Sequence, residues 1–385
     1  MAVEATPTEP ASREQAPERR WAPRIWIGCD FFGWMRLLAR NRFAIGWQFI
    51  YIAIVDTIAS LMNTLLRGVQ SIFYGRQVKR FKIEHPPIFI LGHWRSGTTL
   101  LHELLILDPR HGFPTTLQCF APNHFLLTEG IIKKWFGFIM PNRRPMDNMA
   151  AGWDRPQEDE FALCNMGVPS PYLTIAFPNR PPQQQEYFDL EKVPPEDREA
   201  WKQRFLHFLK LVSYRDPKRI VLKSPPHTCR VKILLEMFPD ACFVNIVRDP
   251  YVLFASTVNL WKSLYDSHGL QRPTHAGLEE YVLSTFSMMH ETLEATRGLC
   301  DPARFYDLKY EDLVQDPMSE IRMLYEHLGL GEFEQALPGL SAYVAEMADY
   351  KRNRYELAPR WRDEVAARWR PYFERYGYSL DATSI

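Results

Sequence analysis

The chain has 385 residues, 46% of them hydrophobic, enough to bury a sizeable core in one large domain with an extension or in two domains. Lys plus Arg and Asp plus Glu both number 46, which excludes the broad basic field that wraps nucleic acid and leaves any anion site local. The six cysteines are scattered, with no CxxC pair and no metal-like Cys/His spacing, so neither a structural metal nor a disulfide framework is expected, and the reading is a reducing, cytoplasmic compartment.

The first twenty residues carry acid, Pro and Ala without an apolar run, so no secretory signal is read there and a disordered lead-in over 1–30 is expected. A helical apolar extension follows over 31–80. Within it Phe43–Tyr74 is strongly apolar, yet Asp56, Ser60, Asn63, Arg67, Gln70 and Tyr74 recur at steps of three and four, which predicts one long helix with a narrow polar stripe. As a membrane span it is poor, because Asp56 sits mid-run at a cost of roughly 2.5–3.5 kcal/mol and Arg and Lys flank both ends. The expectation is a helix that makes peripheral contact with the cytoplasmic membrane, or packs on its own domain or a twin subunit.

The main domain is expected over 81–385. Ile88–Leu91, Ile220–Leu222 and Cys242–Val247 read as buried strands, followed by helical patterns at Thr98–Leu107, Val231–Phe238 and Val252–Trp261. Strands alternating with helices predict an α/β fold, a parallel sheet flanked by helices. A fourth run, Phe305–Tyr310, reads as a further strand leading into a loop. Between the first two core strands lies an insert, about 112–215, too long for an ordinary crossover and therefore expected to shape an acceptor site.

Gly92-His93-Trp94-Arg95-Ser96-Gly97-Thr98-Thr99 follows a strand and opens a helix, the setting of a phosphate-binding loop. Its glycines let the backbone turn so that N–H groups face an anion, and Thr98 and Thr99 add hydroxyls. Where a nucleoside-triphosphate enzyme carries Lys, this chain has Thr98, and the positive charge comes from Arg95. Lys223 leaves a core strand within Leu222-Lys223-Ser224-Pro225-Pro226-His227, at the end of the sheet where ligands gather.

These residues resemble the PAPS-dependent sulfotransferases, whose 5′-phosphosulfate loop has the form Arg95-Ser96-Gly97-Thr98-Thr99. The resemblance extends to Arg248-Asp249-Pro250 followed by Ser256, the 3′-phosphate signature, and to Tyr310-Glu311-Asp312, whose Tyr lies near the adenine. More closely, the chain is similar to the bacterial branch with HWRSGTT and LKSPPH segments. The resemblance implies the sulfotransferase fold, 3′-phosphoadenosine 5′-phosphosulfate (PAPS) as co-substrate without metal, and Lys223 as the group that meets charge on the leaving oxygen. It also implies a basic loop over the 3′-phosphate, matched loosely by Arg352 within Lys351–Tyr355. The reaction expected is in-line transfer of a sulfuryl group to a hydroxyl or amine acceptor.

The base that takes the acceptor proton is less direct, because the segment Phe113–Phe120, where several branches carry Glu, has no carboxylate. The acidic cluster Glu158-Asp159-Glu160 is the substitute: adjacent carboxylates repel and raise the proton affinity of the most buried one, so Glu158 or Glu160 is expected to serve. The same acids also suit a helix start. His227 is the alternative base and His124 a third. Aromatic residues such as Trp94, Phe120, Phe125, Trp135 and Trp153 fit an apolar or ring-bearing acceptor, whether small molecule, lipid or carbohydrate, as well as they fit plain core. Two other classes share the first turn: a P-loop kinase-like phosphotransferase with Asp249 on a metal, and a non-catalytic, membrane-docked nucleotide-binding protein, which widely separated Arg95, Lys223 and Arg248 would favour.

Overall fold

A computed structural model describes residues 24–136, 152–347 and 357–381. Five parallel strands form one sheet: β1 (Ile88–Leu91), β2 (His111–Gly112), β3 (Arg219–Lys223), β4 (Cys242–Val247) and β5 (Phe305–Lys309), in the order β2-β3-β1-β4-β5. The uninterrupted apolar runs have their cause here, since both faces are covered. Phe89 and Leu91 of β1 enter one core with Leu222 and Phe243, while Ile88 and Ile90 enter a second with Val221 and Val244. Register pairs Phe89 with Leu222 on one side and with Phe243 on the other.

The two-residue edge strand β2 escapes a pattern reading because so short a segment shows no periodicity. Tyr310 starts a helix, Tyr310–Gln315, where a loop was expected, with Glu311 and Asp312 in its first turn.

The extension comprises α1 (Phe31–Arg40) and α2 (Ile50–Arg80), the latter entered through a 3₁₀ turn at Trp47–Phe49. Ordered chain begins before them: Ile25, Trp26 and Cys29 are buried, so the lead-in expected to be disordered over 1–30 is already folded from Arg24, and residues 1–23 lie outside the described ones. The polar stripe of α2 faces the protein. Asp56, Ser60, Asn63 and Gln70 are buried, whereas Ile58 is 65% and Ile72 81% exposed. Asn63 donates to the carbonyls of Ile27 (2.8 Å) and Cys29 (3.0 Å), and Gln70 donates to that of Asn123 (3.2 Å).

After β1 come α3 (Thr98–Leu105) and β2, and the described part of the insert then folds into α4 (Thr116–Phe120), α5 (Phe125–Phe136), α6 (Asp159–Asn165) and α7 (Pro195–Arg215). Beyond β3 come α8 (Val231–Met237), α9 (Pro250–His268) and α10 (Leu278–Thr296). All six cysteines are free and buried.

Candidate functional site

Sheet order sets the site. Lys223 ends β3, the Gly92–Thr99 loop follows β1, Arg248 follows β4 and Tyr310 follows β5, so four neighbouring strands present these residues side by side at their C-terminal ends. Gly92 and Gly97 both adopt positive φ, +136° and +109°, and Arg95 between them does so at +69° without being glycine. A left-handed Arg in a turn is a strained position of the kind that clusters at functional sites. At Gly97 a side chain has no room, because a Cβ would lie 2.4 Å from the Tyr310 ring. Thr98 then begins α3, whose first N–H groups have no helical acceptor and face the loop. Ser96 donates its hydroxyl to the His93 carbonyl (2.8 Å), which closes the turn from inside.

The residues expected to hold the far phosphate are in contact with this loop. Arg95 Nε donates to Ser256 Oγ on α9 at 2.9 Å, and Arg248 Nη1 donates to the Arg95 carbonyl at 3.0 Å. The Arg248 guanidinium lies 4.2 Å from the Tyr310 ring centroid, a cation–π contact. Asp249 caps α9: its Oδ1 accepts from the N–H groups of Tyr251 (2.9 Å) and Val252 (3.0 Å), and no ion pair with Arg248 forms among the described residues. Arg352 lies outside the described residues.

The acidic cluster has a structure that adjacency alone conceals. Its three acids each meet a different partner on the segment that leaves β3. Lys223 Nζ donates to Glu158 Oε1 at 2.6 Å. Asp159 accepts from Ser224 Oγ (2.9 Å) and lies 2.8 Å from His227 Nε2. Glu160 takes Arg230 in a two-point pair (2.5 and 3.0 Å) and Ser170 Oγ at 2.5 Å. Each acid is thus matched to its own buried cation or donor. Burial pushes Asp159 up, but His227 and Ser224 outweigh it and hold the carboxyl below its ordinary value. Burial likewise opposes the Arg230 cation, and Glu160 overcomes it.

Accessibility separates the candidate bases. Asp159, Glu160 and His227 are fully buried, His227 with its ring 5.4 Å from Phe89 and 5.5 Å from Phe205, whereas Glu158 retains 9% exposure. His124 is engaged elsewhere, 2.9 Å from Asn63 Oδ1 on α2. Glu158 is also wired to the phosphate loop: Trp94 Nε1 donates to Tyr172 OH (3.0 Å), which donates to Glu158 Oε2 (2.5 Å). Burial, then the Glu158 charge, hold the Tyr172 phenol well above its ordinary pKa, so it stays a donor. Trp94 and Phe125 are buried, Phe120 and Trp153 half-buried, and Trp135 is 64% exposed. Phe161 packs edge-on to Tyr172 at 5.1 Å and to Phe120 at 6.4 Å, giving an aromatic wall beside Glu158.

Sequence reasoning passed over Tyr172 and Arg230, which have no motif of their own, and gave no role to Ser224 within the LKSPPH segment. It also passed over His102, buried on α3, whose imidazole is held near a pKa of about 3 by burial and by the Lys223 charge and is therefore neutral. Its place on the inner face of the helix after the loop was the available signal.

Comparison with known proteins agrees with this geometry. A family model described as "Sulfotransferase family" matches residues 86–335. The chain is 51% identical over 364 residues to the omega-hydroxy-beta-dihydromenaquinone-9 sulfotransferase Stf3 of Mycobacterium bovis, covering 94% of this chain and 92% of that one, and equally to Stf3 of Mycobacterium tuberculosis. Among solved structures, sulfotransferase STF9 from Mycobacterium avium aligns with a TM-score of 0.62 at 18% identity over 92% of this chain and 98% of its own. STF1 from Mycobacterium tuberculosis aligns at 0.57 and 21% identity, over 89% and 94%. Those two establish the fold; the phosphotransferase and non-catalytic readings give way to the family match and the high identity. The family model over residues 86–335 and the 51% identity to Stf3 across nearly the whole chain place it in the sulfotransferase family.

Proposed function

We infer that this sulfotransferase moves the sulfuryl group of PAPS onto the hydroxyl of a lipid-borne acceptor, with Glu158 as base. The observation that carries the assignment is the Lys223–Glu158 pair, 2.6 Å apart and nearly buried, joined to the phosphate loop through Tyr172 and Trp94. The residues fit the donor: the Gly92–Thr99 turn and Arg95 suit the 5′-phosphosulfate, Arg248 and Ser256 the 3′-phosphate, and Tyr310 the adenine. The acceptor class is supported by the mycobacterial relatives, whose name specifies a hydroxylated dihydromenaquinone, and by the aromatic wall of Phe120, Phe161 and Tyr172.

In this reading the anionic donor draws Lys223 to its bridging oxygen, which frees Glu158 Oε1 for the acceptor. The acceptor oxygen attacks sulfur and its proton passes to Glu158. The bond from sulfur to the bridging oxygen breaks, and the charge left on the nucleotide phosphate is met by Lys223 and Arg95. Glu160 and His227 are left with structural roles, because each is fully buried against its own partner.

Transfer of labelled sulfate from PAPS into hydroxylated quinone and polyprenol lipids, with excess chelator present, tests the reading. Labelled lipid product resistant to chelator is expected. Product confined to water-soluble phenols or sugars would refute the lipid acceptor, and dependence on magnesium would refute the metal-free donor site.

A further inference from the structure

Helix α2 is amphipathic with its sides exchanged. The stripe that a soluble protein turns to water is buried against the domain, where Asn63 and Gln70 are hydrogen-bonded to it, and the wide apolar side has no covering among the described residues. Trp47 (83% exposed), Ile58, Leu65, Ile72 and Phe73 all stand out of the surface, a patch far beyond scattered apolar exposure. At about 1.5 Å per residue its 31 residues run about 46 Å, longer than the roughly 30 Å hydrocarbon layer of a bilayer.

Charge identifies the occupant. From residue 40 to residue 83 there are seven Arg or Lys and one acid, Asp56, which is buried. Arg40 and Arg42 stand exposed before the helix; Arg76, Lys79, Arg80 and Lys82 stand exposed at its other end. A second copy docked on this face would set cations against cations in either orientation, because both ends are basic. An anionic lipid surface matches both the apolar middle and the basic ends. Crossing the bilayer is excluded by the inward bonds of Asn63 and Gln70 and by Lys210 Nζ, which donates to the Lys79 carbonyl (3.2 Å), since these tie α2 along its length to the domain.

We propose that α2 lies flat in the headgroup layer of an anionic membrane, apolar side down, and holds the sulfotransferase domain against the surface from which its lipid acceptor is drawn. This deepens the lipid-acceptor reading, yet vesicle binding is measured without any acceptor, so the two fail separately. The full-length protein is sedimented with phosphatidylcholine vesicles, with and without phosphatidylglycerol. Binding is expected on the anionic vesicles and should weaken as salt rises. Ile58→Glu with Leu65→Glu should lower it on the order of tenfold or more. Arg76→Gln, Lys79→Gln and Arg80→Gln should each lower it roughly fivefold, on anionic vesicles only. Since all five side chains are solvent-facing, thermal stabilisation by adenosine 3′,5′-bisphosphate serves as the check that each variant is folded. Unchanged vesicle binding in the folded Glu variant would overturn the proposal. So would a lipid-free dimer that Ile58→Glu splits, which assigns the face to a second copy, or retention of the native protein in membranes after alkaline carbonate, which assigns a crossing.

Discussion

Tyr172 donates its hydroxyl to Glu158 Oε2 at 2.5 Å while accepting the Trp94 indole N–H at 3.0 Å, so one phenol joins the phosphate loop to the carboxylate paired with Lys223. Removing that hydroxyl disturbs alignment without touching the donor. Tyr172→Phe is expected to cut single-turnover rates about tenfold or more, the worth of a hydrogen bond to a charged group, and to leave the affinity for adenosine 3′,5′-bisphosphate near wild type. Parallel losses in both would reduce Tyr172 to a packing role.

Glu158 and Glu160 are two residues apart, and their glutamine variants should fail differently. Glu158→Gln leaves Lys223 nearly buried without its counter-charge and so lowers the melting temperature in part, but the retained folded protein should lose turnover by on the order of a hundredfold or more, as expected for a general base. Glu160→Gln leaves Arg230 buried with half its partner gone, a change that costs about 3–5 kcal/mol in comparable pairs. Thermal melts and rates measured on the same samples separate them. A stable Glu160 variant without activity would return the base to Glu160.

Arg248 and Ser256 should act on one end of the donor. Arg248→Ala is expected to weaken adenosine 3′,5′-bisphosphate by roughly 1.5–3 kcal/mol and to leave the analogue lacking the 3′-phosphate nearly unaffected. Calorimetry with both nucleotides checks this. Equal losses would mean that Arg248 serves the loop through its contact with Arg95, not the phosphate.

Asp56 should imprint a pH dependence on stability. Burial raises its carboxyl from the ordinary range to about 7, although Arg24 pulls it down. Between the unfolded value near ~4 and the folded one, the native state holds a proton that the unfolded chain has lost, so its contribution is complete at low pH and falls as pH rises toward 7. Asp56→Asn should flatten that slope, melting closer to wild type at pH 5 and distinctly higher at pH 8. Parallel melting curves for the two proteins across that range would reject the assignment.

Much of this was legible before any coordinates. Ile88–Leu91 and Cys242–Val247 declare themselves because a parallel strand buried on both faces is apolar throughout, and Gly97 declares itself through the turn it must make. What the sequence withheld is partnership across distance. Glu158, Asp159 and Glu160 look like mutually repelling neighbours until residues some sixty-five positions away arrive beside them. The polar stripe of α2 was visible, but periodicity gives the two sides of a helix without saying which one faces water.

The pairing of residues 158–160 with residues 223–230 also constrains descent and engineering. The insert, proposed above to wall the acceptor, and the strand end that carries Lys223 are stitched by four buried side-chain pairs, Lys223–Glu158, Ser224–Asp159, His227–Asp159 and Arg230–Glu160, so neither can be exchanged alone. A chimera that imports a foreign acceptor wall must bring its matching strand end too. On the proposed reading, new substrate preference in this scaffold is easier to reach by altering Phe120 or Phe161 than by swapping segments across the stitch.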